Sequence, residues 1–208
     1  MNIKENITKE INLENNDGLS SYSNMACQQN HNVFGVFYDF LNDVKPKQIL
    51  EIGTALGGFT SFLKKVIDEL NLETKIVSYD INNMNWYKDM IDQGIDVRVE
   101  NVFNDNYTTV KQEVIDYINQ DGITIVLCDG GNKVGEFNLL SNYIKNGDFI
   151  MAHDYADNRE NFDLNYYGKI WNWHEISDND INNSCIQNKL KSYNKEIFDS
   201  VVWVCKTK

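Results

Sequence analysis

The run Gln48-Ile49-Leu50-Glu51-Ile52-Gly53-Thr54-Ala55-Leu56-Gly57-Gly58-Phe59-Thr60 constrains the fold more than any other part of this chain. Gln48 to Ile52 is a short apolar stretch closed by Gly53. Phe59, Phe62, Leu63, Val66, Ile67 and Leu70 then follow at helical spacing, so the hydrophobic period changes across the glycines. A buried strand, a glycine turn and a helix in that order belong to an open α/β sheet. Gly53 lets backbone approach a ligand with no Cβ in the way, Thr54 lies in the turn, and Gly57 and Gly58 bring the chain into the helix. The unpaired N–H groups of the first helical turn favour an anionic group, so a nucleotide-like cofactor is expected there.

The rest of the chain agrees with that start. Strand-like runs recur at residues 49–52, 76–79, 97–99, 123–127 and 149–152, with helical patterns at 59–70, 85–92, 106–119 and 134–145 between them. A further helix is expected over residues 30–44, with Val33, Phe34, Phe37, Phe40 and Leu41 on one face and Lys45-Pro46 ending it. Such alternation calls for a parallel sheet with right-handed crossovers. Residues 196–208, containing Val201-Val202-Trp203-Val204-Cys205, fit a closing strand pair. In a chain of 208 residues this makes one domain over 24–208, preceded by a flexible, Asn-rich arm over 1–23. Ligands of such sheets sit beyond the carboxyl ends of the strands, so Glu51, Gly53, Asp80, Glu100, Asn101, Asp129, His153 and Asp154 should face one crevice.

Spacing selects the cofactor. A dinucleotide fingerprint is G-x-G-x-x-G, whereas here the order is acidic-x-Gly-x-x-x-Gly, with Asp80 closing the next apolar run, where a carboxylate can accept ribose hydroxyls. In these features the chain resembles the class I S-adenosylmethionine-dependent methyltransferases. The resemblance implies a Rossmann-like, mostly parallel seven-stranded sheet with helices on both faces and an antiparallel edge strand. It also implies cofactor contacts from Glu51, Gly53, Thr54, Gly57, Gly58, Asp80 and Asp129, and adenine contacts from the third strand end, at Asn101 and Val102. A dehydrogenase is disfavoured by the glycine spacing. The single proline, Pro46, excludes the Asn/Asp-Pro-Pro-aromatic motif of amino-methylating enzymes.

Two later strand ends carry more polar groups than cofactor binding requires: Cys128-Asp129-Gly130-Gly131-Asn132-Lys133 and Ala152-His153-Asp154-Tyr155. On neighbouring strands, Asp129, His153 and Asp154 would form an open three-ligand metal site. Carboxylates suit Mg, and a histidine shifts the preference toward Mn or a softer ion. These segments look like the metal-dependent small-molecule O-methyltransferases, including macrocin and rhamnosyl O-methyltransferases and the cephalosporin hydroxylase-like group, over residues 25–156. Asn132 and His153 depart from that group's pattern. The segment Met25-Ala26-Cys27-Gln28-Gln29 is similar to its cofactor-capping lead-in. The implied reaction is methyl transfer from S-adenosyl-L-methionine to a hydroxyl, with Asp129, Lys133 and His153 as catalytic candidates and Lys133 or His153 as base. Two alternatives stay open: a metal-independent small-molecule methyltransferase in which Asp129 and Asp154 are structural or basic, and a non-catalytic methyltransferase-like binding domain. Asp129 then stands both among the cofactor contacts and among the ligands of the divalent ion.

Residues 155–175 are aromatic without being apolar, with Tyr155, Phe162, Tyr166, Tyr167, Trp171 and Trp173 among polar neighbours, as a substrate lid would be. His174 is expected near a helix start as a structural cap. The partner implied is a small hydroxylated molecule, with self-association into a homo-oligomer left open. A formal charge of −12 argues against nucleic acid, and no apolar run is long enough for a membrane span. Lys189, Lys191 and Lys195 read as a solvated helix face. Scattered Cys27, Cys128, Cys185 and Cys205 suggest neither disulfides nor a zinc site, and the polar start of the chain lacks the apolar core of a signal peptide, so a cytoplasmic protein is expected.

Overall fold

The structure, a computed structural model, describes residues 11–14, 19–22 and 25–208. Its main sheet has seven strands: β4 (Gln48–Ile52), β5 (Lys75–Asp80), β6 (Asp96–Val99), β7 (Thr124–Cys128), β8 (Phe149–Ala152), β9 (Lys191–Ser192) and β10 (Val204–Thr207), in the order β6-β5-β4-β7-β8-β10-β9. Strands β6, β5, β4, β7 and β8 are parallel, while β10 runs antiparallel to both β8 and β9. Strand order therefore reverses between β4 and β7, the position at which the loops of an open sheet part to form a crevice.

Alternation along these strands separates two cores. Ile49, Ile76, Ile125, Leu127, Phe149, Met151 and Cys205 face one side, and Leu50, Ile52, Val77, Tyr79, Val126, Cys128, Ile150, Ala152 and Val204 the other. The first side is covered by α1 (Val33–Val44) and α2 (Gly58–Glu69), with Tyr87 and Met90 of α3 (Tyr87–Asp92) and Phe198 of α8 (Lys195–Asp199). It is dense in rings: Phe37 meets Phe59 at 5.0 Å and Trp203 at 5.3 Å, both edge-on. The second side is covered by α4 (Gln112–Ile118), α5 (Lys133–Leu140) and α7 (Asp178–Asn188). α6 (Arg159–Asn165) lies in the segment between β8 and α7.

Three differences from the sequence reading have physical causes. The expected loose arm contains strands β1 (Ile11–Glu14) and β2 (Leu19–Tyr22), which form an antiparallel sheet with β3 (Met25–Asn30); the rest of that arm, residues 1–10, 15–18 and 23, lies outside the described residues. This sheet packs on α2, with Tyr22 edge-on to Phe62 at 5.8 Å, so a polar stretch is ordered by tertiary contact rather than by its own pattern. Helix α4 begins later than the expected 106–119 because Phe103 and Val110 form an antiparallel bridge around a turn. Near the carboxyl end one strand of the closing pair is β10, but Lys195–Asp199 is helical and β9 is only Lys191–Ser192.

Candidate functional site

Each residue expected in the crevice lines one of two adjoining cavities. One, of about 470 Å³, is walled by Asp80, Glu100, Asn101, Val102, Phe103 and Tyr107. The other, of about 330 Å³, is walled by Glu51, Thr54, Lys133, His153, Asp154 and Trp171. Gly53, Ala55, Gln28, Asp129 and Gly130 line both, so the two are lobes of one crevice joined at the ends of β4 and β7.

The turn after β4 is held by main-chain bonds: the Gly53 N–H donates to Tyr79 O at 2.8 Å and the Asp129 N–H donates to Ile52 O at 2.9 Å. Gly53 has φ +95°, and a Cβ there would lie 2.3 Å from Asp129 O. Asp80 receives the Ala55 N–H at 2.7 Å and the Asn82 N–H at 2.7 Å, which fixes its carboxylate at the edge of the larger lobe. Asn101 Oδ1 accepts the Phe103 N–H at 3.0 Å. Gln28, Ala55 and Asp154 have φ of 50°, 48° and 59°, a left-handed conformation that side chains rarely adopt and that the surrounding contacts must enforce. Gly57 and Gly58 line neither lobe, which corrects their expected contact with a cofactor. Gly57 (φ +78°) faces Met90 Sδ, and Gly58 lets the β3 backbone at Met25 and Ala26 cross the start of α2.

Glu51 points into the protein, accepting bonds from Thr60 Oγ1 at 2.6 Å and from the Ser78 hydroxyl. Burial pushes its pKa up to about 7 despite those hydroxyls, and burial does the same, to about 7, for Glu136, which accepts the Gly130 and Asn132 N–H groups. A carboxyl whose folded pKa is raised binds its proton more tightly in the native state, so its stabilisation is complete below about 4.5 and is lost as pH rises through about 7. The melting temperature should therefore fall by ~5 °C between about pH 5 and pH 8, and Glu51→Gln should flatten that slope. Thermal melts across that range check this; an unchanged slope in the variant would mean Glu51 ionises as an ordinary carboxylate.

The smaller lobe holds a connected polar cluster. His153 Nδ1 lies 3.2 Å from Asp129 Oδ1 and 3.3 Å from Gln29 Nε2. Gln29 also donates to Asp129 Oδ2 at 2.7 Å and accepts the Trp203 indole N–H at 2.9 Å. The His153 ring stacks on Trp203 at 5.0 Å, and its Nε2 is buried without a hydrogen-bond partner among the described residues. Burial alone would lower the pKa of His153, but the charges of Asp154 and Asp129 outweigh it and hold the value above the ordinary one. Asp154 accepts from the Trp171 indole at 2.5 Å through Oδ1 and pairs with Lys133 Nζ at 2.9 Å through Oδ2. Burial would raise its pKa, but His153 and Lys133 together keep it below the ordinary range.

Lys133 is the principal correction to the sequence reading. Its Nζ lies 2.9 Å from Asp154, 2.9 Å from Glu175 and 3.6 Å from Asp129, and it donates to Gly130 O at 3.1 Å. Burial opposes its charge, yet Asp129, Asp154 and Glu175 hold its pKa above the usual lysine value. Three carboxylates around one ammonium favour its protonated form, which suits a counter-ion better than the base expected at this position. Asp129, His153 and Asp154 do converge as expected, with one ligand atom from each within 4.8 Å of the others. The oxygens of the two carboxylates, though not His153 Nε2, are nevertheless engaged by N–H groups: Lys133 and Trp171 on Asp154, Gln29 on Asp129. That arrangement does not fit a divalent ion, which needs those lone pairs.

Of the expected lid, Tyr155, Phe162 and Trp171 are turned inward, while Trp171 and the half-exposed Trp173 wall the smaller lobe. His174 is not a cap: it stacks on Phe162 at 5.0 Å, and α7 starts instead at a Ser177–Asp180 capping box. Gln29 falls in the expected cofactor-capping lead-in, but its bonds to Asp129 and Trp203, and the place of Trp203 behind His153, are not readable from the sequence. Glutamine in a polar stretch and tryptophan in an apolar run give no local signal of a shared hydrogen bond.

The overall fold is that of known methyltransferases. The Mg-SAM form of CmcI superposes with a TM-score of 0.62 at 9% identity, covering 90% of this chain and 76% of that one. An O-methyltransferase family protein from Burkholderia thailandensis gives 0.50 at 7% identity, over 85% of this chain and 56% of that one. The CMeT domain of the citrinin polyketide synthase gives 0.54 at 11% identity, over 84% and 52%. The chain thus spans little more than half the length of the last two. No curated protein matches the chain. None of the helices among the described residues is long and apolar enough to cross a membrane. The model of the FtsJ-like methyltransferases matches residues 28–167, more than half of the sequence and including the glycine turn, Asp80, Asp129, His153 and Asp154, and the chain therefore belongs to the FtsJ-like methyltransferase family.

Proposed function

We propose that the protein transfers a methyl group from S-adenosylmethionine to a hydroxyl oxygen of a small molecule, a sugar or similar polyol. The observation that carries this reading is the two-lobed crevice whose junction is Gly53 and Asp129. A nucleoside fits the larger lobe, with Asp80 accepting ribose hydroxyls and Asn101 and Val102 beside the base. Its sulfonium then lies at the junction, with the methyl directed to the lobe of Asp129, His153 and Trp171.

The acceptor oxygen attacks the methyl carbon, the carbon–sulfur bond breaks with its pair passing to sulfur, and the hydroxyl proton leaves to a base. Asp129 is the group suited to take that proton, because it alone of the acidic cluster lines both lobes and remains partly open to solvent. The Lys133 ammonium holds positive charge close to that oxygen, which favours the developing alkoxide, and His153 Nδ1 lies 3.2 Å from Asp129 Oδ1. Trp171 and Trp173 offer faces for a sugar ring. The net charge of −12 supports a small acceptor rather than a nucleic acid.

Calorimetry with S-adenosylhomocysteine tests the reading. Wild-type protein is expected to bind it at micromolar concentration, and Asp80→Ala to weaken binding by roughly ten- to hundredfold through loss of the ribose hydrogen bonds. Failure of the wild type to bind, or equal binding by both proteins, would remove the nucleoside from the larger lobe.

A further inference from the structure

Lys133 occupies a position with two costs. As the first residue of α5 it places a positive charge at the positive end of a helix, and its side chain is only 7% exposed. Nothing in the apolar packing of α5 requires a lysine there, since Phe137, Leu139 and Leu140 bury that helix. The compensation comes from the site itself: Asp154 and Glu175 each approach within 2.9 Å and Asp129 within 3.6 Å. The ammonium is thus the common counter-ion of carboxylates from three separate segments, the ends of β7 and β8 and the loop before α7. A divalent ion placed among Asp129, His153 and Asp154 would meet that role already filled, and two cations a few ångströms apart in a buried site repel strongly.

We infer that Lys133 is the resident cation of this site, standing where a divalent ion would otherwise bridge Asp129 and Asp154, so that the enzyme works without a metal. The inference rests on the methyl-transfer reading for its catalytic meaning, though not for its geometry. In that role Lys133 positions the two carboxylates and supplies the positive charge beside the acceptor oxygen, doing by hydrogen bonds what a metal does by coordination. Its proton stays in place throughout.

Removing the ammonium should then unmask a metal site. The experiment is a titration with Mn²⁺, followed by calorimetry and by electron paramagnetic resonance of the free ion, on the wild type, Lys133→Met and the double variant Lys133→Met/Asp154→Asn. The wild type is expected to show only weak, multiple-site binding typical of an acidic surface. Lys133→Met should bind one ion at least tenfold more tightly, and the double variant should lose that site. One tight site in the wild type overturns the inference, and so does the lack of one in a folded Lys133→Met protein, since the cluster would then never have been a latent metal site. Circular dichroism establishes folding. Should Lys133→Met not fold, Lys133→Gln takes its place, and the wild-type arm decides alone if neither folds: a tight site sinks the inference, and its absence together with unchanged activity after EDTA supports it. S-adenosylhomocysteine binding by the same preparations separates the two readings, because loss of nucleoside binding in the wild type would fault the methyl-transfer reading while leaving the metal titration interpretable.

Discussion

Gly53→Ala is expected to destabilise the protein by about 3–5 kcal/mol and to abolish nucleoside binding in whatever folded fraction remains. Two independent costs add. At φ +95° an alanine carries left-handed strain of roughly 1–2 kcal/mol. Its Cβ would also sit 2.3 Å from Asp129 O and 2.8 Å from Gly130 N, which are backbone atoms and cannot rotate aside. Relief requires β4 and β7 to part at the point where the lobes join, which breaks the Asp129 N–H bond to Ile52 O. Gly131→Ala is the control, because a Cβ there meets nothing within 4 Å, and its effect should stay within about 0.5 kcal/mol. Chemical denaturation of both variants checks the contrast. Similar stabilities would show that the turn can relax and that Gly53 is not the constraint described.

The second large effect is chemical. Asp129→Asn should lower the rate of methyl transfer by about 10²–10⁴-fold while leaving the fold and S-adenosylhomocysteine affinity nearly unchanged. Asparagine matches the shape of aspartate and can still accept the Gln29 amide bond of 2.7 Å through its carbonyl, so the junction survives. Lost are the proton acceptor and one of the charges facing His153 and Lys133. Transfer of labelled methyl from S-adenosylmethionine to a panel of polyols and sugars, under saturating nucleoside, provides the measurement. A rate within tenfold of the wild type would assign the proton to another group.

Much of the architecture was legible because it depends on local period. The apolar runs of β4, β5, β7 and β8 and the helical spacing of Phe59 to Ile67 are strong signals, and they place the strand ends that form the crevice except that of the short β6. What was not legible depends on partners distant in sequence. The N-terminal sheet carries only the four-residue alternation Ile11-Asn12-Leu13-Glu14, too short to stand out in a polar stretch, and is ordered against α2. Lys133 follows the Asp129 strand end, where the methyltransferase resemblance implies a base. Its role reversed once the fold brought Asp154 and Glu175 to the same ammonium, and Glu175 lies in a loop that no periodicity could position. The glycines at 57 and 58, expected as cofactor contacts, serve the packing of Met90 and of β3 instead.

Gln29 and Trp203 lie 174 residues apart, yet one hydrogen bond joins them, with His153 stacked on the indole and Asp129 held by the amide. Two segments far apart in the chain must therefore meet before the amide can hold the Asp129 carboxylate and the indole can back the His153 ring. Trp203→Phe keeps the stacked ring but leaves the Gln29 carbonyl without its donor, so it separates the hydrogen bond from the packing.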